Sequence, residues 1–261
     1  MKRKTTVYFI LILVISFFTF SHAEEFSVTA DQIVKKIDEL YRSKTTFSEF
    51  EMQIITPHWE RTLKMLAWTE KMDKTLIKIL SPKKEHGIGT LRINNEMWNY
   101  LPNSNKVIKI PPSMMMSSWM GSDFSNDDLV KESSMLSDYT HRFITPEDAN
   151  KDAFYIELKP KEDTAIVWSR IVISARKKDY IPLWQKYFGE QDKLMRVMTF
   201  KDIKEFNNKL VPSIIEIAPQ NKKNQKTIIR YLDLKFDIKI DKDMFTLRNL
   251  RTPLKTSAAN K

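Results

Sequence analysis

From Thr45 onward, apolar and polar residues alternate along much of the chain with a period of two. Phe50, Met52 and Ile54 alternate with Glu51 and Gln53, and Phe154, Ile156 and Leu158 alternate with Tyr155, Glu157 and Lys159. The longest run sets Leu232, Leu234, Phe236, Ile238 and Ile240 against Asp233, Lys235, Asp237 and Lys239. Successive side chains of a strand point to opposite faces, so this pattern predicts strands with one wet and one apolar face. Further strands are predicted over 60–70, 75–80, 89–94, 97–101, 106–110, 167–175, 181–188, 194–203 and 210–218. Turn residues separate them, among them Ser81-Pro82, Pro102-Asn103, Gly189-Glu190, Asn207-Asn208 and Pro219-Gln220-Asn221. Many strands at hairpin spacing predict a long antiparallel meander. Such a sheet curls, because strands twist and open edges are a liability. The chain has only 4 glycines, so sharp corners are few. A wide, strongly curved sheet is expected in preference to a small closed barrel.

Two stretches depart from this period. At the start, Ile33, Ile37, Leu40 and Tyr41 recur at helical spacing. Thr29 and Gln32 have capping-box spacing, and Val28 and Ile33 stand at the staple positions around that cap. An N-terminal helix lying against the sheet follows. A run at 166–173 that is apolar on both faces also requires a covering helix. The second departure runs from Pro111-Pro112 to Leu129. It carries Met114, Met115, Met116, Trp119, Met120 and Phe124 within about a dozen residues. Ser125 and Asp128 then have capping-box spacing, which predicts a short helix. Methionine is unbranched and polarizable and repacks around irregular apolar shapes, so a Met-rich surface suits a flexible hydrophobic ligand. A mobile flap of these six residues over an apolar concavity would shield acyl chains from water. Each buried methylene contributes about 0.8 kcal/mol, so a chain of about 14 carbons supplies on the order of 10 kcal/mol before ordering costs. The competing possibility is that the segment simply plugs the end of the barrel. If it is a flap, Trp119→Asp should weaken lipid binding and leave the fold intact.

The first 23 residues do not look like fold. Lys2, Arg3 and Lys4 precede an apolar run from Val7 to Phe20, and Ser21-His22-Ala23 offers small residues at −3 and −1 of a cleavage site. This is the pattern of a cleavable signal peptide, over 1–23, with a single domain over 24–261; an uncleaved N-terminal anchor is the alternative. The apolar run is shorter than the roughly 20 residues of a membrane span. An exported, periplasmic protein is therefore expected. There is no cysteine, which excludes disulfides and excludes lipid attachment at an N-terminal cysteine. The formal net charge of +10 is spread thinly, with no block dense enough for a nucleic-acid arm. A basic surface suits transient contact with anionic lipid headgroups or an acidic partner, and equally serves ordinary solubility.

Catalytic templates fail one by one. His58, His86 and His141 have no partners at metal-ligand spacing and are expected at the surface or in turns. Asp123, Asp127 and Asp128 lack the alternate spacing and central glycine of a calcium loop. Gly121-Ser122-Asp123 lacks the second glycine of a nucleophile elbow. No glycine-rich phosphate loop occurs. A non-enzymatic protein without a cofactor is expected.

Several segments together resemble the outer membrane lipoprotein-sorting proteins of the LolA/LolB-like superfamily. They are Gly87-Ile88-Gly89-Thr90-Leu91-Arg92, Met97-Trp98-Asn99-Tyr100-Leu101-Pro102, Ser118-Trp119-Met120-Gly121-Ser122-Asp123-Phe124 with Asn126-Asp127-Asp128-Leu129, and Phe245-Thr246-Leu247-Arg248-Asn249-Leu250. The resemblance implies a mainly β (α+β) fold, a half-open antiparallel β-barrel of about eleven strands with helices as a lid. It implies acyl chains of lipoproteins or other lipids as ligand, held on the concave face. It also implies an inner-membrane ABC or RND-type transporter as partner, and a monomeric carrier. Met97, Trp98 and Tyr100 are then expected to line the wall beneath the flap, although plain core packing competes for Trp98. A lipid-sensing regulator and a non-carrying accessory subunit of a transporter are the alternatives.

Overall fold

The structure is a computed structural model that describes residues 28–254 except 72, 131–133, 163, 165 and 166. The expected signal peptide lies outside the described residues. The chain enters through helix α1 (Ala30–Asp38). Its N-terminus is closed by the expected capping box: Gln32 N donates to Thr29 Oγ1 at 3.2 Å and Thr29 N donates to Gln32 Oε1 at 2.9 Å.

Six strands follow: β1 (Thr45–Ile55), β2 (Glu60–Glu70), β3 (Lys74–Ser81), β4 (Gly89–Ile93), β5 (Glu96–Leu101) and β6 (Lys106–Lys109). A segment with the short helices α2 (Asn126–Val130) and α3 (Ser134–Ser137) interrupts the sheet. Seven more strands complete it: β7 (Tyr139–Phe143), β8 (Ala153–Pro160), β9 (Arg170–Arg176), β10 (Pro182–Phe188), β11 (Leu194–Phe206), β12 (Lys209–Pro219) and β13 (Lys226–Phe236). Helix α4 (Leu247–Arg251) closes the described chain. Among the described residues no helix is long and apolar enough to cross a membrane.

All 13 strands form one antiparallel sheet in the order β6-β5-β4-β3-β2-β1-β13-β12-β11-β10-β9-β8-β7. Each strand pairs with its neighbours in sequence, except that β6 and β7 do not pair and β1 pairs instead with β13. The sheet is therefore two meanders, β1–β6 and β7–β13, joined in the middle through β1 and β13. Its free edges are β6 and β7, which are consecutive in the chain. The segment between them has to travel from one edge of the sheet to the other.

The sheet has 13 strands where about eleven were expected. The period-two pattern did not mark β7, because only Tyr139 of its five residues is buried. The 232–240 run is also displaced. The strand begins at Lys226, through an Ile228-Ile229 doublet that hides the alternation, and ends at Phe236. Asp237 takes a left-handed φ of 53°, which stops the ladder. The Asn207-Asn208 turn is as expected: both residues have positive φ, 50° and 63°, the requirement of a tight primed hairpin turn.

On the concave face, Phe50, Met52 and Ile54 of β1 pack with Met65, Ile79, Ile215 and Ile229. Helix α1 covers the other half of that face, with Ile33, Val34 and Ile37 against Tyr139, Ile156, Leu158, Ile171 and Ile173. This supplies the helix that the doubly apolar run around β9 requires. His141 is not a surface residue: its buried ring contacts Asp31 of α1 at 2.5 Å and Met135 O at 2.8 Å, tying β7 to both helices.

The convex face carries a smaller core under the C-terminal segment, where Leu76 and Leu91 meet Phe245 and Leu250. Two of the segments that carry the family resemblance meet here. A Cβ on Gly89 would stand 2.7 Å from Leu250 Cδ1, so glycine lets the α4 side chain close onto β4. Lys78 points to this face from β3, and its Nζ donates to Asn249 O at 2.9 Å and to Thr252 O. Burial pushes the Lys78 amine down to about 8. Between that pH and the ordinary lysine value of about 10.4, the unfolded chain holds a proton that the folded chain has released, so stability rises with pH across this window. Urea unfolding at about pH 7 and about pH 9.5 should show the rise in the native protein and lose it in Lys78→Met. An equal rise in both proteins would assign it to other groups.

Candidate functional site

The curl of the sheet encloses a cavity of about 300 Å³ on its concave face. That volume lies at the lower end of the roughly 300–1,000 Å³ usual for ligand sites. Both halves of the sheet contribute: Phe50, Ala67 and Ile77 come from one side, and Ile171, Tyr187, Met198 and Phe200 from the other. Tyr41, just beyond α1, closes one flank. Its ring stacks on Tyr231 at 5.2 Å between centroids, and its hydroxyl donates to Pro212 O at 2.7 Å.

The segment from β6 to β7 crosses the concave face and forms the remaining wall. It is not a loose flap. A tight 3-10 turn, Trp119–Gly121, is held by Ser122 Oγ donating to Trp119 O at 2.7 Å, and Met120 takes a left-handed φ of 50°. Trp119 N donates to Phe124 O at 2.7 Å, and Ser118 pairs with Ser125 across the loop. Three groups then pin the loop to the sheet. Arg61 of β2 donates to Met120 O. Thr227 Oγ1 of β13 donates to Asp123 Oδ2 at 2.8 Å and accepts from Asp123 N at 2.9 Å. Arg196 of β11 holds Asp128 through two bonds of 2.8 Å each. Serine and aspartate side chains are suited to this, because they bond readily to nearby backbone in turns.

Asp128 serves twice. It completes the expected capping box, accepting from Ser125 N at 2.8 Å and donating its own N–H to Ser125 Oγ at 3.1 Å. It also meets the Arg196 guanidinium, which lies 4.2 Å from the Tyr187 ring centroid and 4.6 Å from that of Trp168. Burial pushes the Asp128 carboxyl up, but the Arg196 charge and the bonds from Arg196 and Ser125 outweigh it and hold the group below the usual carboxylate range. Arg196 is the cavity-lining residue that pattern reading missed. It shares its inward face with Met198 and Phe200, and a lone cation in that apolar register was the available signal.

Of the nine residues singled out from sequence, the structure brings Met97, Trp119 and Phe124 to the cavity. Trp119 is 3% exposed and its indole donates to Thr90 Oγ1 at 3.2 Å. Met115 and Met120 pack against the core beside it. Met114 and Met116 point outward, 47% and 54% exposed. Trp98 and Tyr100 lie on the convex face with Leu91 and Phe245, away from the cavity. The reason is parity: Met97 faces inward on β5, so Trp98 and Tyr100 face out. Trp119→Asp would not leave the fold intact, because it places a carboxylate where an aromatic ring is buried.

Among the described residues, no three His, Cys, Asp or Glu side chains gather as a metal site. No curated protein matches the chain. A model of an "uncharacterized protein"-like family matches residues 71–252, more than half of the chain. Among solved structures, a DUF1329 family protein from Desulfovibrio piger is similar over 85% of this chain and 97% of that one, with a TM-score of 0.76 and 20% identity. A domain from Vibrio parahaemolyticus assigned to outer membrane lipoprotein sorting is similar over 85% of this chain and 98% of that one, with a TM-score of 0.73 and 20% identity. A LolA superfamily protein from Nitrosomonas europaea is similar over 85% of this chain and 100% of that one, with a TM-score of 0.70 and 17% identity. The chain thus belongs to the family whose model spans residues 71–252, and it shares its fold with these three solved structures.

Proposed function

We propose that this protein is a periplasmic carrier that binds acyl chains of lipoproteins or lipids in its concave cavity and moves them between the inner and outer membranes. The observation that carries this reading is the unclosed sheet itself. Its concave face holds a mostly apolar cavity, and the wall across the two free edges is a Met-rich segment carrying Trp119 and pinned by a few polar contacts. An apolar hollow walled by a Met-rich segment suits the binding of a flexible chain. The likeness to solved lipoprotein-sorting folds supports the same reading. The 1–23 segment would be removed on export, leaving one domain over 24–261 that acts as a monomer without catalysis. An inner-membrane ABC or RND-type transporter would load or unload it. The test is whether acyl-chain lipid accompanies the protein through purification.

A further inference from the structure

The cavity is not uniformly apolar, and its polarity is ordered. Along β1 the inward residues run Thr46, Ser48, Phe50, Met52, Ile54, from hydroxyl to hydrocarbon. The sheet register extends each of these positions sideways. Thr46 lies opposite Thr69 of β2, Thr69 opposite Thr75 of β3, and Thr75 opposite Arg92 of β4. Four adjacent strands thus place three hydroxyls and a guanidinium in one row across the same end of the cavity, and all four residues line it. The row two residues deeper is Ser48, Ala67, Ile77 and Thr90, and the next begins with Phe50 and Met65.

Two more cations line the cavity at the polar end. Lys71 sits in the turn after β2, and its backbone N donates to Lys44 O at 2.9 Å, which sets it beside the start of β1. Arg42 enters from the end of α1 and makes a 3.3 Å ion pair with Asp38. Among the described residues, the cationic side chains of Arg42, Lys71 and Arg92 line this end together with Asp38. Among the described residues the hydroxyls of Thr69 and Thr75 make no hydrogen bond to protein. Arg92 is only 6% exposed, and its Nε donates to Asn94 O at 2.9 Å, which fixes the plane of the guanidinium. A buried, oriented guanidinium flanked by hydroxyls and an ammonium is the chemistry that recognises a phosphate group.

We infer that the row Thr46, Thr69, Thr75 and Arg92, with Arg42 and Lys71 at its mouth, is a headgroup site for a phosphate-bearing lipid whose acyl chain lies along the apolar strip. This deepens the carrier reading and rests on it: the same cavity holds the tail, and the polar row selects an anionic phospholipid over a neutral one.

The test compares dioctanoyl phosphatidylglycerol, dioctanoylglycerol and inorganic phosphate by titration calorimetry on the purified protein. The two lipids share their tails and differ in the phosphate headgroup. The expected result is a preference of about tenfold or more for the phospholipid, as charge-assisted hydrogen bonds give. Arg92→Gln and Lys71→Gln should each reduce that ratio toward one. Lys71 is exposed, so its variant reads the ratio even if Arg92→Gln folds poorly. Equal affinity for the two lipids, or a ratio unchanged in both variants, would overturn the headgroup assignment and leave the tail cavity standing. Inorganic phosphate binding as tightly as the phospholipid would overturn it in favour of a free-phosphate site. Binding of neither lipid would overturn the carrier reading itself.

Discussion

Asp128→Ala is expected to destabilise the protein by about 3–5 kcal/mol, because it strands the buried Arg196 charge between two aromatic rings. The pair joins α2 of the bridging segment to β11 through two bonds of 2.8 Å. The double variant Asp128→Leu with Arg196→Met should recover most of the loss, since apolar residues of similar volume often replace a buried ion pair at little cost. The same pair makes the protein acid-sensitive in a defined direction. The folded-state carboxyl titrates below its ordinary value, so its contribution is complete above about pH 4 and is lost as pH falls through the folded value. Denaturant unfolding of the three proteins at neutral and acid pH checks both statements. A loss under about 1 kcal/mol in Asp128→Ala would mean that the pair behaves as a solvent-screened surface contact and does not hold the segment in place.

Trp119→Ala is expected to cost about 3–5 kcal/mol and to reduce lipid retention together with stability. The ring is buried against the concave core, lines the cavity, and its indole donates to Thr90. Trp119→Phe keeps most of the apolar contact and loses that bond, and should fall between the two with a loss of about 1 kcal/mol. Met114→Ala and Met116→Ala remove outward-pointing side chains and serve as controls, with stability expected within about 0.5 kcal/mol of the native protein. Thermal unfolding and lipid content should be measured on all four variants. A Trp119→Ala protein of native stability would show that the segment docks without filling the core.

The strands were legible because half-buried antiparallel strands must alternate. Twelve separate runs were visible where apolar residues recur at every second position, and the turns between them carry Pro, Gly and Asn. β7 was not, since an edge strand with one buried residue has no alternation to show. The Met-rich segment was recognisable as a break in period. Its pinning was not, because Arg61, Arg196 and Thr227 lie on three distant strands. Trp98 and Tyr100 illustrate the reverse error. They share a sequence motif with Met97, but a shift of one residue along a strand turns a side chain to the other face. The polar row across β1 to β4 was invisible for a related reason. Thr46, Thr69, Thr75 and Arg92 are unremarkable singly, and only the strand register places them side by side.

The central claim is that the concave cavity holds acyl chains, and native mass spectrometry of the purified protein tests it most directly. The protein is purified without detergent, and bound lipid is identified after extraction. Co-purified phospholipid or acylated peptide, reduced in Trp119→Ala, is the predicted result. A protein that emerges empty and takes up no added lipid would contradict the carrier reading and point to an accessory subunit whose bridging segment is a plug or a docking surface.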